Sequence, residues 1–139
     1  MANWQWFGTL HRGLLRKTGG RWGKRLVGLD MLLLTTTGRR SGEARTTPMP
    51  YYRDGDRFVI VASNGGSDDD PHWWKNLQTD PRGEIEIGRE RIAVKARLAT
   101  SAERARLWPE LKAWNLMYRR YETKTTREIP VVVLDREFR

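Results

Sequence analysis

Three groups of residues in this chain have types and spacings suited to chemistry. Gly38-Arg39-Arg40-Ser41-Gly42-Glu43-Ala44-Arg45 gathers three guanidinium groups beside two glycines. Arginine forks match phosphate and carboxylate oxygens, and glycine lets backbone approach them closely. The stretch has neither the Gly-Lys-Ser/Thr of a Walker loop nor the glycine spacing of a dinucleotide fold. A basic hairpin tip is also what a solvated turn looks like, so both readings stand. Ser63-Asn64-Gly65-Gly66 ends an apolar strand; consecutive glycines there suit a backbone that wraps a flat ring and offers it N–H groups, or an ordinary flexible loop. Trp73-Trp74 with Asn76 forms the third group. Adjacent tryptophans face different ways, so one packs inward while the other covers a neighbouring site or caps the core.

Other chemistries are poorly supplied. The chain has no cysteine, which excludes disulfides, thiolate metal sites and cysteine nucleophiles and fits a reducing compartment. Its two histidines, His11 and His72, are far apart, so no histidine-built zinc site is expected and no metal is assigned. Asp68-Asp69-Asp70 lacks the spacing of a calcium loop and reads better as a helix cap. No serine–histidine–carboxylate set is discernible, and His72 beside Asp70 is a local pair. A reaction whose hard step belongs to a cofactor needs few protein nucleophiles and suits this composition.

Charge narrows the partner. The chain of 139 residues carries +9 overall. Residues 1–53 hold ten Lys and Arg against Asp30 and Glu43, so nearly all the excess lies in the first two-fifths. Such asymmetry points to an anionic partner: nucleic acid, a membrane surface or an acidic ligand. No apolar run is long enough to span a bilayer, and the N-terminus lacks a signal peptide's apolar core.

The elements that must position these groups follow from periodicity and turn chemistry. Residues 1–29 read as an N-terminal amphipathic helix and linker, with Trp4, Phe7, His11 and Leu14 on one face. Residues 30–139 read as one domain. Met31–Thr37 is a buried strand; Glu43–Arg53 is extended, with Pro48 and Pro50 confining it to an edge or a bulge; Asp54-Gly55 turns into the strand Arg57–Ala62. Asp70 would cap a short helix begun by Pro71. Strands Glu84–Ile87 and Arg91–Leu98 follow. Thr100-Ser101-Ala102-Glu103 has the form of a capping box and opens a helix to about Asn115, bent near Pro109. A polar stretch with Tyr118 and Tyr121 precedes the last strand, Ile129–Leu134. Six strands joined mainly by hairpins predict a mostly antiparallel barrel with helices outside it, a mainly β fold with some α.

Together LLLTTTGRRSGEARTTPMPYYRDGDRFVIVASNGG, PHWWKNLQTDP and TTREIPVVVL resemble the deazaflavin-dependent nitroreductases, also described as coenzyme F-420-dependent quinone reductases. The match covers roughly residues 30–135, in the family's order and at similar spacing. The resemblance implies a split β-barrel like that of the FMN-binding pyridoxamine phosphate oxidases. It implies coenzyme F-420, a reduced 8-hydroxy-5-deazaflavin, as hydride donor to an electron-poor acceptor (a quinone, enone or nitroaromatic). Its phosphate and polyglutamate tail would account for the basic first part of the chain. On the family's pattern, Arg39, Arg40, Ser41 and Arg45 would hold phosphate and tail. Thr47, Pro48 and Met49 would line the approach to the ring. Val61, Ala62, Ser63 and Asn64 would run along its edge, with Gly65 in the turn. Asn76, and Trp73 with it, would close the site. Tyr118 and Tyr121, with Ser63 beside the ring, are the implied catalytic residues; a tyrosine with a pKa near ~10 is protonated at neutral pH and fit to donate. Asn115 stands where some members carry a further tyrosine.

Two other readings stay open at this level: a split barrel that binds FMN or haem, and a non-enzymatic basic module on nucleic acid or membrane. Against the latter, the basic residues gather around one hairpin and one amphipathic segment, so no nucleic-acid partner is expected. The expectations are a small-molecule acceptor, a monomer or homodimer, and a cytoplasmic location, with weak contact at the inner membrane face through Trp4, Trp6, Phe7, Arg12, Arg16 and Lys17.

Overall fold

The computed structural model describes residues 25–26 and 28–138. The N-terminal amphipathic helix expected within residues 1–29, and its lipid contact, lie outside them. In chain order the elements are β1 (Arg25–Leu26), β2 (Leu29–Thr37), β3 (Ala44–Pro50), β4 (Tyr52–Asp54), β5 (Arg57–Val61), a 3-10 turn (Asn64–Gly66), α1 (His72–Thr79), β6 (Arg82–Ile87), β7 (Glu90–Leu98), α2 (Ser101–Trp114), α3 (Met117–Lys124) and β8 (Val131–Arg136).

All pairings are antiparallel, in the order β1-β2-β6-β7-β8-β5-β4, with β3 on the other side of β2. Residues 44–54 close the curl. Their first half pairs with β2, from Thr37↔Ala44 to Met31↔Pro50, and their second half with β5, from Tyr52↔Val59 to Asp54↔Arg57. The break falls at Tyr51, whose N–H leaves the ladder for the Asp30 carbonyl at 3.1 Å. Pro48 and Pro50 are tolerated because β3 has a single strand neighbour, so the ring nitrogens forfeit no second ladder. One extended segment thus serves as both edges of the sheet, and the six expected strands make a split barrel.

Period-two alternation sorts the core. Leu32, Leu34, Phe58, Ile60, Ala62, Ile85, Val94, Val132 and Leu134 fill the barrel, joined by Trp73, Trp74 and Leu77 of α1. Val59, Val61 and Val131 point outward under Leu107, Trp108, Leu111 and Tyr118 of α2 and α3. β5 and β8 therefore read as unbroken apolar runs because both their faces are covered. Both tryptophans are buried, their rings edge to face at 6.4 Å.

Helix α2 begins with the expected capping box. Thr100 Oγ1 accepts from the Glu103 N–H at 3.1 Å, and Glu103 Oε1 accepts from the Thr100 N–H at 2.8 Å. Arg97 donates to both Glu103 oxygens, at 2.7 and 3.1 Å, and with Thr100 holds this carboxyl well below its usual range, at about 2. The helix runs through Pro109 to Trp114.

Two expectations need correction. Asp70 does not cap α1: Pro71 holds the cap position without a side-chain bond, and the Asp70 carboxylate accepts from Arg127 Nη1 at 3.0 Å. A charge-assisted bond to a guanidinium outcompetes a neutral N–H. The stretch around Tyr118 and Tyr121 is helical. Its one fully buried residue, Tyr118, gives too little apolar period to be legible beside Arg119, Arg120, Glu122 and Lys124.

Candidate functional site

Two adjoining cavities bring the expected residues together. The first, about 400 Å³, lies between the β2–β3 hairpin tip and α1 and is lined by Arg39, Arg40, Ser41, Arg45, Thr47, Trp73 and Asn76 among others. The second, about 330 Å³, lies between β3, the end of β5 and the α2–α3 corner. Pro48, Met49, Val61, Ser63, Asn64, Gly65, Tyr118 and Tyr121 line it, with Asn115. Thr47 and Trp73 border both, so the two cavities lie side by side.

The hairpin tip is a built turn. Gly42 adopts a φ of 73°, its N–H donates to the Gly38 carbonyl at 2.8 Å, and the Gly38 N–H donates to Glu43 O at 2.7 Å. A Cβ on Gly38 would stand 2.8 Å from Ser41 Oγ and 3.1 Å from the Glu43 carbonyl, so a side chain there would displace the serine and crowd the turn. Ser41 Oγ accepts from the Glu43 N–H at 3.1 Å and from Arg45 Nη2 at 3.4 Å.

Asn76 anchors this tip to α1. Its side chain is 3% exposed. Oδ1 accepts from the Arg39 N–H at 3.2 Å and from Arg39 Nη1 at 2.9 Å, while Nδ2 donates to Thr36 Oγ1 at 3.1 Å. Arg39 Nη2 also stands 3.3 Å from His72 Nδ1. Arg39 is therefore pre-positioned. Arg40 and Arg45 are exposed, and Glu43, 3.6 Å from Arg45, is the acid paired with the tip. The first cavity is a cationic trough.

The second cavity has no charged residue in its lining. Pro48, Met49, Val61 and Trp73 give it apolar walls. Behind it Tyr118 packs among Trp108, Trp114 and Tyr121, with ring centroids 6.1 to 6.4 Å apart. Burial pushes the Tyr118 hydroxyl up to about 12, against a smaller opposing effect of the Asn115 side chain. Tyr118 is thus a proton or hydrogen-bond donor throughout the neutral range and cannot act as a base there. Gly66, with φ 83°, lets the Asn64–Gly66 turn lie against α3: a Cβ would sit 3.1 Å from Tyr121 Cα and Lys124 Cβ.

This burial carries a stability prediction. The folded pKa of Tyr118 lies above its unfolded value near ~10, so its contribution is intact below pH ~10 and lost as pH rises through about 12. Two pKa units correspond to about 2–3 kcal/mol. Denaturant titrations between pH 9 and 12 (roughly this window) should show stability falling more steeply in the parent protein than in Tyr118→Phe. Equal slopes would place the phenol in water.

One expected site residue turns its side chain away from both cavities. Ala62 lines neither cavity: alternation turns its side chain into the barrel, where it is fully buried. Pro71 and His72 line the cavities although no sequence signal assigned them there, and Arg127 holds the loop beside them. His72 meets Arg39 across 33 positions, and Arg127 meets Ala62 across 65, so no local pattern announces either contact. The one available signal for Arg127 is its place in the stretch TTREIPVVVL.

Comparison with known proteins agrees with this architecture. Residues 8–136 match the model of the F420H(2)-dependent quinone reductase family. An F420H(2)-dependent quinone reductase of Mycobacterium tuberculosis is 43% identical over 131 residues, covering 91% of this chain and 88% of that protein. A solved F420-H2 dependent reductase superposes with a TM-score of 0.69 at 31% identity, over 76% of this chain and 93% of its own. A solved structure described as a domain-swapped dimer gives a TM-score of 0.70 at 28% identity, over 89% and 98% of the two chains.

Proposed function

This chain belongs to the F420H(2)-dependent quinone reductase family, and on that premise we propose that the two neighbouring cavities together form a groove that holds coenzyme F-420, with its anionic tail on the arginine tip and its ring in the second, uncharged cavity. The protein is an oxidoreductase that transfers hydride from the reduced coenzyme to a quinone. The observation that supports this placement best is the pairing of two neighbouring cavities: a cationic trough beside a slot with apolar walls, with Thr47 and Trp73 bordering both. A ligand with a polyanionic end and a flat aromatic end fits both halves.

The residues fit that group in detail. Arg39, Arg40 and Arg45 face the trough, where phosphate and carboxylate oxygens would meet guanidinium forks. Ser41 shapes the turn. Pro48, Met49, Val61 and Trp73 would clamp the ring and exclude water, while Ser63, Asn64 and Gly65 border it with polar backbone. Asn76 acts through Arg39 and closes the trough.

When bound, the reduced coenzyme supplies the hydride. The chain's own work is orientation, dryness and a place for the negative charge that develops on the acceptor. Tyr118, Tyr121 and the Ser63 hydroxyl are the donors at the acceptor end. Replacing both tyrosines with phenylalanine should lower kcat about tenfold, the loss of one hydrogen bond of roughly 1.4 kcal/mol in the transition state. Coenzyme affinity should stay within about twofold, since the tail site is untouched. Unchanged turnover would hand proton donation to water.

The assembly is proposed to be a homodimer, following the swapped dimer seen in a relative. No described helix is long and apolar enough to cross a membrane; we place the enzyme in the cytoplasm, with residues 1–29 as its point of contact with the inner membrane face.

The deciding experiment is a fluorescence titration with oxidised coenzyme F-420, with FMN run beside it. Micromolar or tighter binding of the deazaflavin alone supports the placement; preference for FMN would keep the barrel and change the redox chemistry; binding of neither would leave the groove a shape only.

A further inference from the structure

Arg127 has only 16% of its side chain exposed, and all three of its nitrogens are spent on one loop. Nε donates to Ser67 O at 2.8 Å and Nη1 to Asp70 Oδ1 at 3.0 Å. Nη2 forks between Ala62 O at 3.2 Å and Ser63 O at 2.9 Å. Two neighbours fasten the same loop: Lys124 Nζ donates to Gly65 O at 3.3 Å, and Thr125 Oγ1 to Asp68 Oδ1 at 2.8 Å. The wall of the second cavity is thus held from behind by residues 124–127.

The two forked carbonyls belong to consecutive peptide units, and no peptide here is cis. In a trans unit the N–H points opposite to the C=O. Holding both carbonyls to one guanidinium therefore turns the Ser63 and Asn64 N–H groups away from it. Among the described residues neither of these N–H groups, nor the Ser63 hydroxyl, makes a hydrogen bond. Asn64 also sits at φ 47°, in the left-handed range that asparagine tolerates better than most non-glycine residues.

We propose that Arg127 is a positioning residue for the reaction: it fixes two successive peptide units at the end of β5 so that the Ser63 and Asn64 N–H groups and the Ser63 hydroxyl face the cavity where ring and acceptor meet. Donors aimed in advance at developing negative charge need no reorganisation during the reaction, which is why their aim affects kcat more than affinity. The proposal rests on the functional reading above and assigns a task to a residue that touches neither ring nor acceptor.

The test compares Arg127→Lys with Thr125→Ala. Lysine keeps a cation opposite Asp70 but cannot span two carbonyls and Ser67 at once. Arg127→Lys should lower kcat about tenfold or more, shift the absorption maximum of the bound oxidised coenzyme, and leave coenzyme Kd within about threefold because the tail is held elsewhere. Thr125→Ala loosens the same loop without releasing the two carbonyls and should keep kcat within about twofold. Arg127→Ala should recover part of its activity when guanidinium is added. Should Arg127→Lys fail to fold, Arg127→Gln is measured in the same way. Unchanged kcat and spectrum in the Arg127 variants, or equal losses in Thr125→Ala, would reduce Arg127 to a fold-stabilising residue. If the unaltered protein binds no deazaflavin, the proposal falls together with the functional reading, and the two failures are told apart by that binding measurement.

Discussion

Replacing Arg39, Arg40 and Arg45 together with alanine is expected to weaken coenzyme F-420 binding roughly 100- to 10,000-fold, about 3–5 kcal/mol for three charge-assisted contacts. The lower part of that range allows for screening, because Arg40 and Arg45 are exposed. Arg39 should contribute most: Asn76 and His72 already hold its guanidinium, so less freedom is lost when an anion docks. The same variant should lose most of the salt dependence of binding. Fluorescence titrations at low and high ionic strength check both parts. Unaltered affinity would mean that the hairpin tip is a solvated face and that the tail lies elsewhere.

Asn76→Ala is expected to act twice. The buried amide leaves behind an Arg39 N–H and a Thr36 hydroxyl without their partner, at a cost of roughly 2–3 kcal/mol of folding stability. It also frees the Arg39 guanidinium, so coenzyme affinity should fall about tenfold even well below the melting temperature. Thermal melts and titrations on the same preparation separate the effects. Lower stability with unchanged affinity would make Asn76 a core residue only, and would remove the link between α1 and the hairpin tip from the account of binding.

These predictions draw unequally on sequence and structure. The basic tip was legible because glycines and arginines in one short segment state both a turn and a charge. The Ser63–Gly65 loop was legible because glycines end an apolar run. Asn76 was singled out beside Trp73-Trp74, and its place at the site came from the resemblance, yet its bond to Arg39 joins residues 37 apart and could not be read locally. The tyrosines were named, but the burial that raises the Tyr118 pKa comes with Trp108 and Trp114 on another helix.

By itself the sequence determined the local terms: strands where apolar residues alternate or run together, the capping box at Thr100–Glu103, the turn at Asp54-Gly55, the absence of cysteine chemistry and the cationic tip. Each depends on residues within a few positions of one another. Only the tertiary structure decided how residues 44–54 close the barrel, which way Ala62 faces, that Asp70 answers Arg127 instead of capping α1, and that residues 124–127 hold the cavity wall. The last two are competitions between partners roughly 60 positions apart in sequence. They are settled by which groups the closed sheet brings within hydrogen-bond reach, and local periodicity holds no record of that.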